Sequence, residues 1–202
     1  MAQIISPSPK EIGPPLTVDF SSLKLTVAQF EQLCRDNRDL RLELTSQGEL
    51  IVMPPTGSKT GQRNLSLASQ LASWALKNGT GVGFDSSTGF TFPDGAILSP
   101  DGSWIRRERW DALTKEEQEG FAPICPDFVI ELRSHCDRLA RLQNKMQEYI
   151  ENGARLAWLI DPLKRQVHIY RPDLDVEVLD DPETVSGEPL LSGFILNLQE
   201  LW

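Results

Sequence analysis

The chain has 202 residues, enough for one domain with a sizeable core, and its 40% hydrophobic and 24% charged composition is globular rather than disordered. Twenty Lys+Arg against twenty-nine Asp+Glu leave a net charge of −9. That excludes a module that binds nucleic acid by bulk positive charge, so any such chemistry needs a local basic patch, a metal ion, or both. No apolar run is long enough to span a bilayer, and residues 1–10 lack the regions of a signal peptide. Cys34, Cys125 and Cys136 show no CxxC spacing, which predicts a reducing, cytoplasmic setting.

Residues 1–20, rich in Pro and Gly, predict a flexible leader, with residues 21–202 as a single domain. Thr26 with Gln29 fits a capping box, and Leu25 with Phe30 the accompanying hydrophobic staple, so a short helix through Leu33 follows. Residues 39–44 and 49–53 read as strands around a Gln47-Gly48 bend, the second stopped by Pro54-Pro55. Residues 62–77 predict the first long helix, with Leu65, Ala68, Leu71, Ala72, Ala75 and Leu76 as its apolar stripe and Gly79 as its C-cap. Residues 82–105 are strand-and-turn territory with Asp94-Gly95 as a hairpin signal, and residues 106–120 a charged surface excursion with a helical turn. Residues 127–133 (DFVIELR) read as a buried strand and residues 137–152 as the second long helix. A hairpin follows over residues 156–160 and 166–170 around Asp161-Pro162, with a weaker strand near residues 176–179. This order predicts an α/β fold, a mixed β-sheet flanked by α-helices.

Strand alternation puts Phe128, Ile130 and Leu132 on one face, and Asp127, Val129, Glu131 and Arg133 on the other. A carboxylate and a guanidinium are costly to bury without partners. They form either an ion pair at the sheet end or a metal ligand beside a cation that meets a substrate phosphate. A metal site needs a second carboxylate, and Asp127 lies about 13 Å along the strand from Glu131, too far to share an ion. Pro100-Asp101, which leads into a strand-like stretch, is the best partner, against the plain alternative of a turn-entry Asp. On the second long helix Leu139, Leu142, Met146, Tyr149 and Ile150 form the apolar stripe, and Arg138, Arg141, Lys145 and Glu148 a polar one. Lys145 sits at their border, where it either snorkels or reaches over the neighbouring strand. A Cys–His nucleophile from Cys136 or Cys125 with His168 or His135 lacks a third orienting group, and His168 reads as exposed. Zinc on Cys125, His135 and Cys136 lacks a fourth ligand. A glycosidase-type carboxylate pair suits the flanking cation less well than phosphate does.

Pro100-Asp101, the strand ending Glu131-Leu132-Arg133-Ser134, Lys145 and Tyr149 on a helix, and Trp158-Leu159-Ile160-Asp161-Pro162 together resemble the Uma-type family of restriction endonucleases, within the PD-(D/E)XK nuclease superfamily. Arg41-Leu42-Glu43-Leu44 with Gly48-Glu49-Leu50, and Gly193-Phe194, extend the resemblance over nearly everything after the leader. It implies a restriction-endonuclease-like fold and metal-dependent hydrolysis of phosphodiester bonds in nucleic acid, DNA first, with Mg²⁺ or Mn²⁺ as cofactor. Asp101 and Glu131 would hold the metal with the Leu132 carbonyl, and Glu43 would be the acidic residue of the N-terminal part. The superfamily lysine two residues after the Glu is Arg133 here, and Lys145 would take that role from the helix. Arg106, Arg107, Arg109, Arg138 and Arg141 would meet the nucleic-acid backbone, although a solvated charged face would look the same. His135-Cys136-Asp137 departs from the Pro-Ser-Asp expected there. With Arg133 and the charge of −9, that departure also fits a catalytically inactive nuclease-fold module for interaction or dimerisation. Nuclease analogy implies a homodimer, since a duplex presents two symmetric strands.

Overall fold

In the computed structural model, which describes residues 15–23 and 25–202, the N-terminal elements are β1 (Leu16–Asp19), α1 (Val27–Asp36), β2 (Arg41–Leu44), β3 (Glu49–Met53) and α2 (Ser58–Asn78). The centre holds β4 (Gly81–Asp85), β5 (Phe90–Thr91), β6 (Ile97–Leu98), β7 (Gly102–Arg106), α3 (Arg107–Asp111), α4 (Lys115–Glu119) and β8 (Phe128–Leu132). The remainder is α5 (Leu139–Glu151), β9 (Leu156–Asp161), β10 (Gln166–Tyr170), β11 (Glu177–Asp180), β12 (Thr184–Ser186) and β13 (Ile195–Asn197).

The main sheet has the order β11-β10-β9-β8-β7-β4, and only β8 and β9 run parallel. Both of these strands are buried along their whole length, as parallel neighbours covered on two faces must be. Helix α5 is the crossover between them. A second, antiparallel sheet has the order β1-β3-β2-β6-β5, and β12 pairs with β13. Phe128, Ile130 and Leu132 pack with Leu67, Leu71 and Ala75 of α2, whereas Val129 packs with Leu142, Met146 and Tyr149 of α5. The predicted alternation therefore holds, and Glu131 lies on the α5 side.

The capping box forms as expected: Gln29 N–H donates to Thr26 Oγ1 at 3.3 Å, and Thr26 N–H to Gln29 Oε1 at 2.9 Å. Gly79, at φ +71°, closes α2 in the left-handed conformation. Three expectations need correcting. Within the predicted leader, residues 16–19 form β1, paired antiparallel with β3; residues 1–14 lie outside the described residues. All four β1 residues are exposed, so backbone pairing with an open sheet edge holds them, a signal hydropathy does not carry. The apolar stripe of α2 runs through Leu67, Leu71 and Ala75, while Leu65 and Leu76 are exposed. Two rows compete in the sequence, and the glycines beneath select one: Gly83 lies under Leu71 and Ala75, and Gly102 under Leu67. His168 is buried rather than exposed, because α5 packs across β10.

Candidate active site

The site draws on five stretches of the chain, at β2, α2, β7, β8 and α5. Gly102 of β7 pairs antiparallel with Ile130 of β8, so one step outward Asp101 stands across from Glu131. Gly102 also lets α2 lie close over the sheet, since a Cβ there would meet Leu67 Cδ2 at 2.8 Å. That approach brings Asn64, one turn before Leu67, to Asp101. Asn64 Nδ2 donates to Asp101 Oδ1 at 3.2 Å, and the Leu132 N–H donates to Asp101 Oδ2 at 2.9 Å.

Glu43 arrives from β2 of the other sheet, where its Oε1 accepts the Ser99 N–H at 2.9 Å. Helix α5 then joins the two sheets: Lys145 Nζ lies 2.9 Å from Glu43 Oε1 and 2.9 Å from Glu131 Oε1. One turn later, Tyr149 donates its O–H to the same Glu131 Oε1 at 2.6 Å. Among the described residues, no hydrogen bond reaches Oε2 of either glutamate.

Burial sets the electrostatics. It raises the Asp101 carboxyl above its ordinary value, against the Leu132 hydrogen bond and the Lys145 charge, which lower it. It raises Glu131 to about 7; Lys145 opposes the shift, and the Asp101 and Glu43 charges add to it. Burial works against the charged form of Lys145, but the Glu131 and Glu43 carboxylates outweigh it and hold the ammonium charged, above its ordinary value. Three carboxyls thus share one cation.

This cluster floors a cleft of about 780 Å³, whose lining includes Arg41, Lys59, Arg138 and Arg141. The N-terminal ends of α2 and α5 also open onto it, and neither N-cap residue, Gly57 or Arg138, makes a side-chain cap. First-turn N–H groups and the helix dipole favour an anion at such an end. Acids on the floor beneath a cationic rim suit an anionic substrate joined to the acids by a bound cation. Oxygen-only donors such as Asp101 and Glu131 suit Mg²⁺ or Mn²⁺, and Mg²⁺ needs only one or two protein carboxylates when water and substrate phosphate complete its shell. Among the described residues, no group of three or more His, Cys, Asp or Glu side chains is arranged to hold a metal by itself.

Of the residues expected from sequence, Glu43, Asp101, Glu131 and Lys145 come together, and Arg138 and Arg141 line the cleft. Arg133 does not join them. Strand β8 ends at Leu132, and the Arg133 guanidinium turns to fully buried Asp161 at 2.7 Å. Arg106, Arg107 and Arg109 are also elsewhere, at and just beyond the far end of β7, where Arg106 lies about 17 Å from Asp101 along an extended strand. There Arg106 and Arg109 pair with buried Asp127, and Arg107 with Asp111. Cys125 precedes β8 while His135 and Cys136 follow it, and burial pushes the Cys125 thiol up to about 12, which removes it as a nucleophile. Sequence reasoning missed Asn64, Arg41, Lys59 and Asp161. Arg41 and Asp161 lie within motifs that carry the resemblance without a role of their own, and Asn64 is a polar residue in register with Leu67 and Leu71.

Residues 27–199 match the family model of Uma2, described as "Putative restriction endonuclease". Among solved structures, the chain is similar to a crystal structure of "a putative nuclease belonging to DUF820" from Anabaena variabilis ATCC 29413. The two are 23% identical with a TM-score of 0.73, over 88% of this chain and 97% of that one, and they share the fold. A cryo-EM structure of a DrdV–DNA complex overlaps partially, at 16% identity and a TM-score of 0.38, over 60% of this chain and 10% of that one. No curated protein matches the sequence.

Proposed function

Because the chain belongs to the Uma2 family, described as "Putative restriction endonuclease", we propose that it hydrolyses phosphodiester bonds in nucleic acid, DNA first, with Mg²⁺ or Mn²⁺. The observation that carries this reading is the buried Glu43–Lys145–Glu131 array beside Asp101, set beneath a rim of cations. Arg41, Lys59, Arg138 and Arg141, with the N-terminal ends of α2 and α5, hold backbone phosphates and fix the register of the substrate. A divalent ion held by Asp101 and Glu131 would polarise the scissile phosphate and lower the pKa of the attacking water. Lys145 stays protonated, so it is no base; it supplies a fixed positive charge where negative charge develops on the phosphoryl oxygens. Glu43 holds that ammonium from the opposite side. Asn64 and the Leu132 N–H keep Asp101 in place. Two copies, one for each strand, would cut a duplex through.

The test is Mn²⁺ binding by calorimetry for wild type, Asp101→Ala and Glu131→Ala, followed by plasmid cleavage in Mg²⁺. Wild type binds in the micromolar-to-millimolar range, both variants lose the ion, and cleavage disappears with it. A wild type that binds no Mn²⁺, with variants as stable as the parent, overturns the reading. The chain would then be read as an inactive interaction module.

A further inference from the structure

Tyr149 is fully buried, yet it carries a hydroxyl that a phenylalanine would spare. A buried phenol needs an acceptor, and this one has Glu131 Oε1 at 2.6 Å. Its ring lies beneath Lys145, with Nζ 5.7 Å from the centroid, and Phe92 packs edge-on against it at 5.5 Å. One side chain thus touches both charged groups that α5 and β8 bring to the cleft.

Resting on the metallonuclease reading, we infer that Tyr149 is a positioning residue that decides which oxygen Glu131 presents to the cleft. From successive turns of one helix face, Lys145 forms an ion pair with Oε1 at 2.9 Å and Tyr149 donates its O–H to the same oxygen. Two partners on one oxygen fix the carboxylate plane and, among the described residues, leave Oε2 as the oxygen free of hydrogen bonds. With the Lys145 contact alone, the carboxylate can turn about its last torsion and exchange its oxygens, because that torsion is broad and nearly two-fold. Partners of this kind alter metal affinity by about 10- to 100-fold when removed.

The experiment compares Mn²⁺ affinity in wild type, Tyr149→Phe and Phe92→Leu, with a melting curve for each. Tyr149→Phe weakens Mn²⁺ binding by about 10-fold or more, whereas Phe92→Leu lowers the melting temperature and keeps the affinity. The native chain supplies a second readout, since Tyr149 and Tyr170 are its two tyrosines. Fluorine NMR of fluorotyrosine-labelled protein shows Mg²⁺ moving the Tyr149 resonance and leaving Tyr170 in place. Equal Mn²⁺ affinity in wild type and Tyr149→Phe, or a Tyr149 resonance unmoved by saturating Mg²⁺, overturns the role of Tyr149 and leaves the metal site standing. Equal weakening in Tyr149→Phe and Phe92→Leu also overturns it, by assigning the effect to packing. If wild type binds neither ion, the role and the metallonuclease reading fall together.

Discussion

Glu131 is the residue on which the opposing forces meet. Desolvation lifts its carboxyl to about 7 from an ordinary 4.5, so the folded chain binds this proton more tightly than the unfolded chain. The sign follows: any stability the group contributes is present below 4.5 and is lost as pH climbs towards 7. In metal-free buffer, the stability of wild type relative to Glu131→Gln therefore falls across that window, as urea unfolding at several pH values would show. A difference that stays constant with pH would mean that Lys145 and Tyr149 fully compensate the buried charge. At this scale the sequence was partly legible. A carboxylate on the inner face of a strand of apolar residues already announced a cost that needed a partner. The partners of Arg133 were not legible, because alternation assigns a face only while the strand continues, and β8 stops one residue earlier.

Among the elements, β8 and β9 are tied at their C-terminal ends. Arg133 N–H donates to the Ile160 carbonyl at 2.9 Å, and its guanidinium pairs with Asp161, whose other oxygen accepts the Leu163 N–H. Arg133, two residues after Glu131, therefore braces the sheet. Arg133→Ala leaves a buried carboxylate without its cation and should cost about 3 kcal/mol in urea unfolding, with Mn²⁺ affinity kept. Unchanged stability with lost Mn²⁺ binding would return Arg133 to the site. The long amphipathic α5 and the buried strands were readable from periodicity, since their burial spans several repeats. Strands β12 and β13, three residues each, offer too few alternations to register. In α2 the expected stripe holds at Leu71 and Ala75 but not at Leu65 and Leu76, because neighbouring rows satisfy the same period and the close approach at Gly83 and Gly102 selects the row with Leu67.

Across the whole molecule, a net charge of −9 surrounds a cleft whose rim is cationic. Nucleic-acid binding should then rest on a few local contacts and weaken steeply with salt. Replacing Arg138 and Arg141 together by Ala should lower affinity for duplex DNA and flatten the log–log salt slope by about 2, read by fluorescence anisotropy. A slope unchanged by the double substitution would move the binding surface away from this cleft. The α/β class, the two long helices, the faces of β8 and the family follow from local periodicity or from an ordered set of motifs. Membership of the site follows from long-range packing. Strand register sets Asp101 across from Glu131, the second sheet delivers Glu43, and α5 places Lys145 between two acids from different sheets. Register and sheet-to-sheet packing are long-range properties: a one-residue slip preserves every local pattern but turns each side chain to the other face.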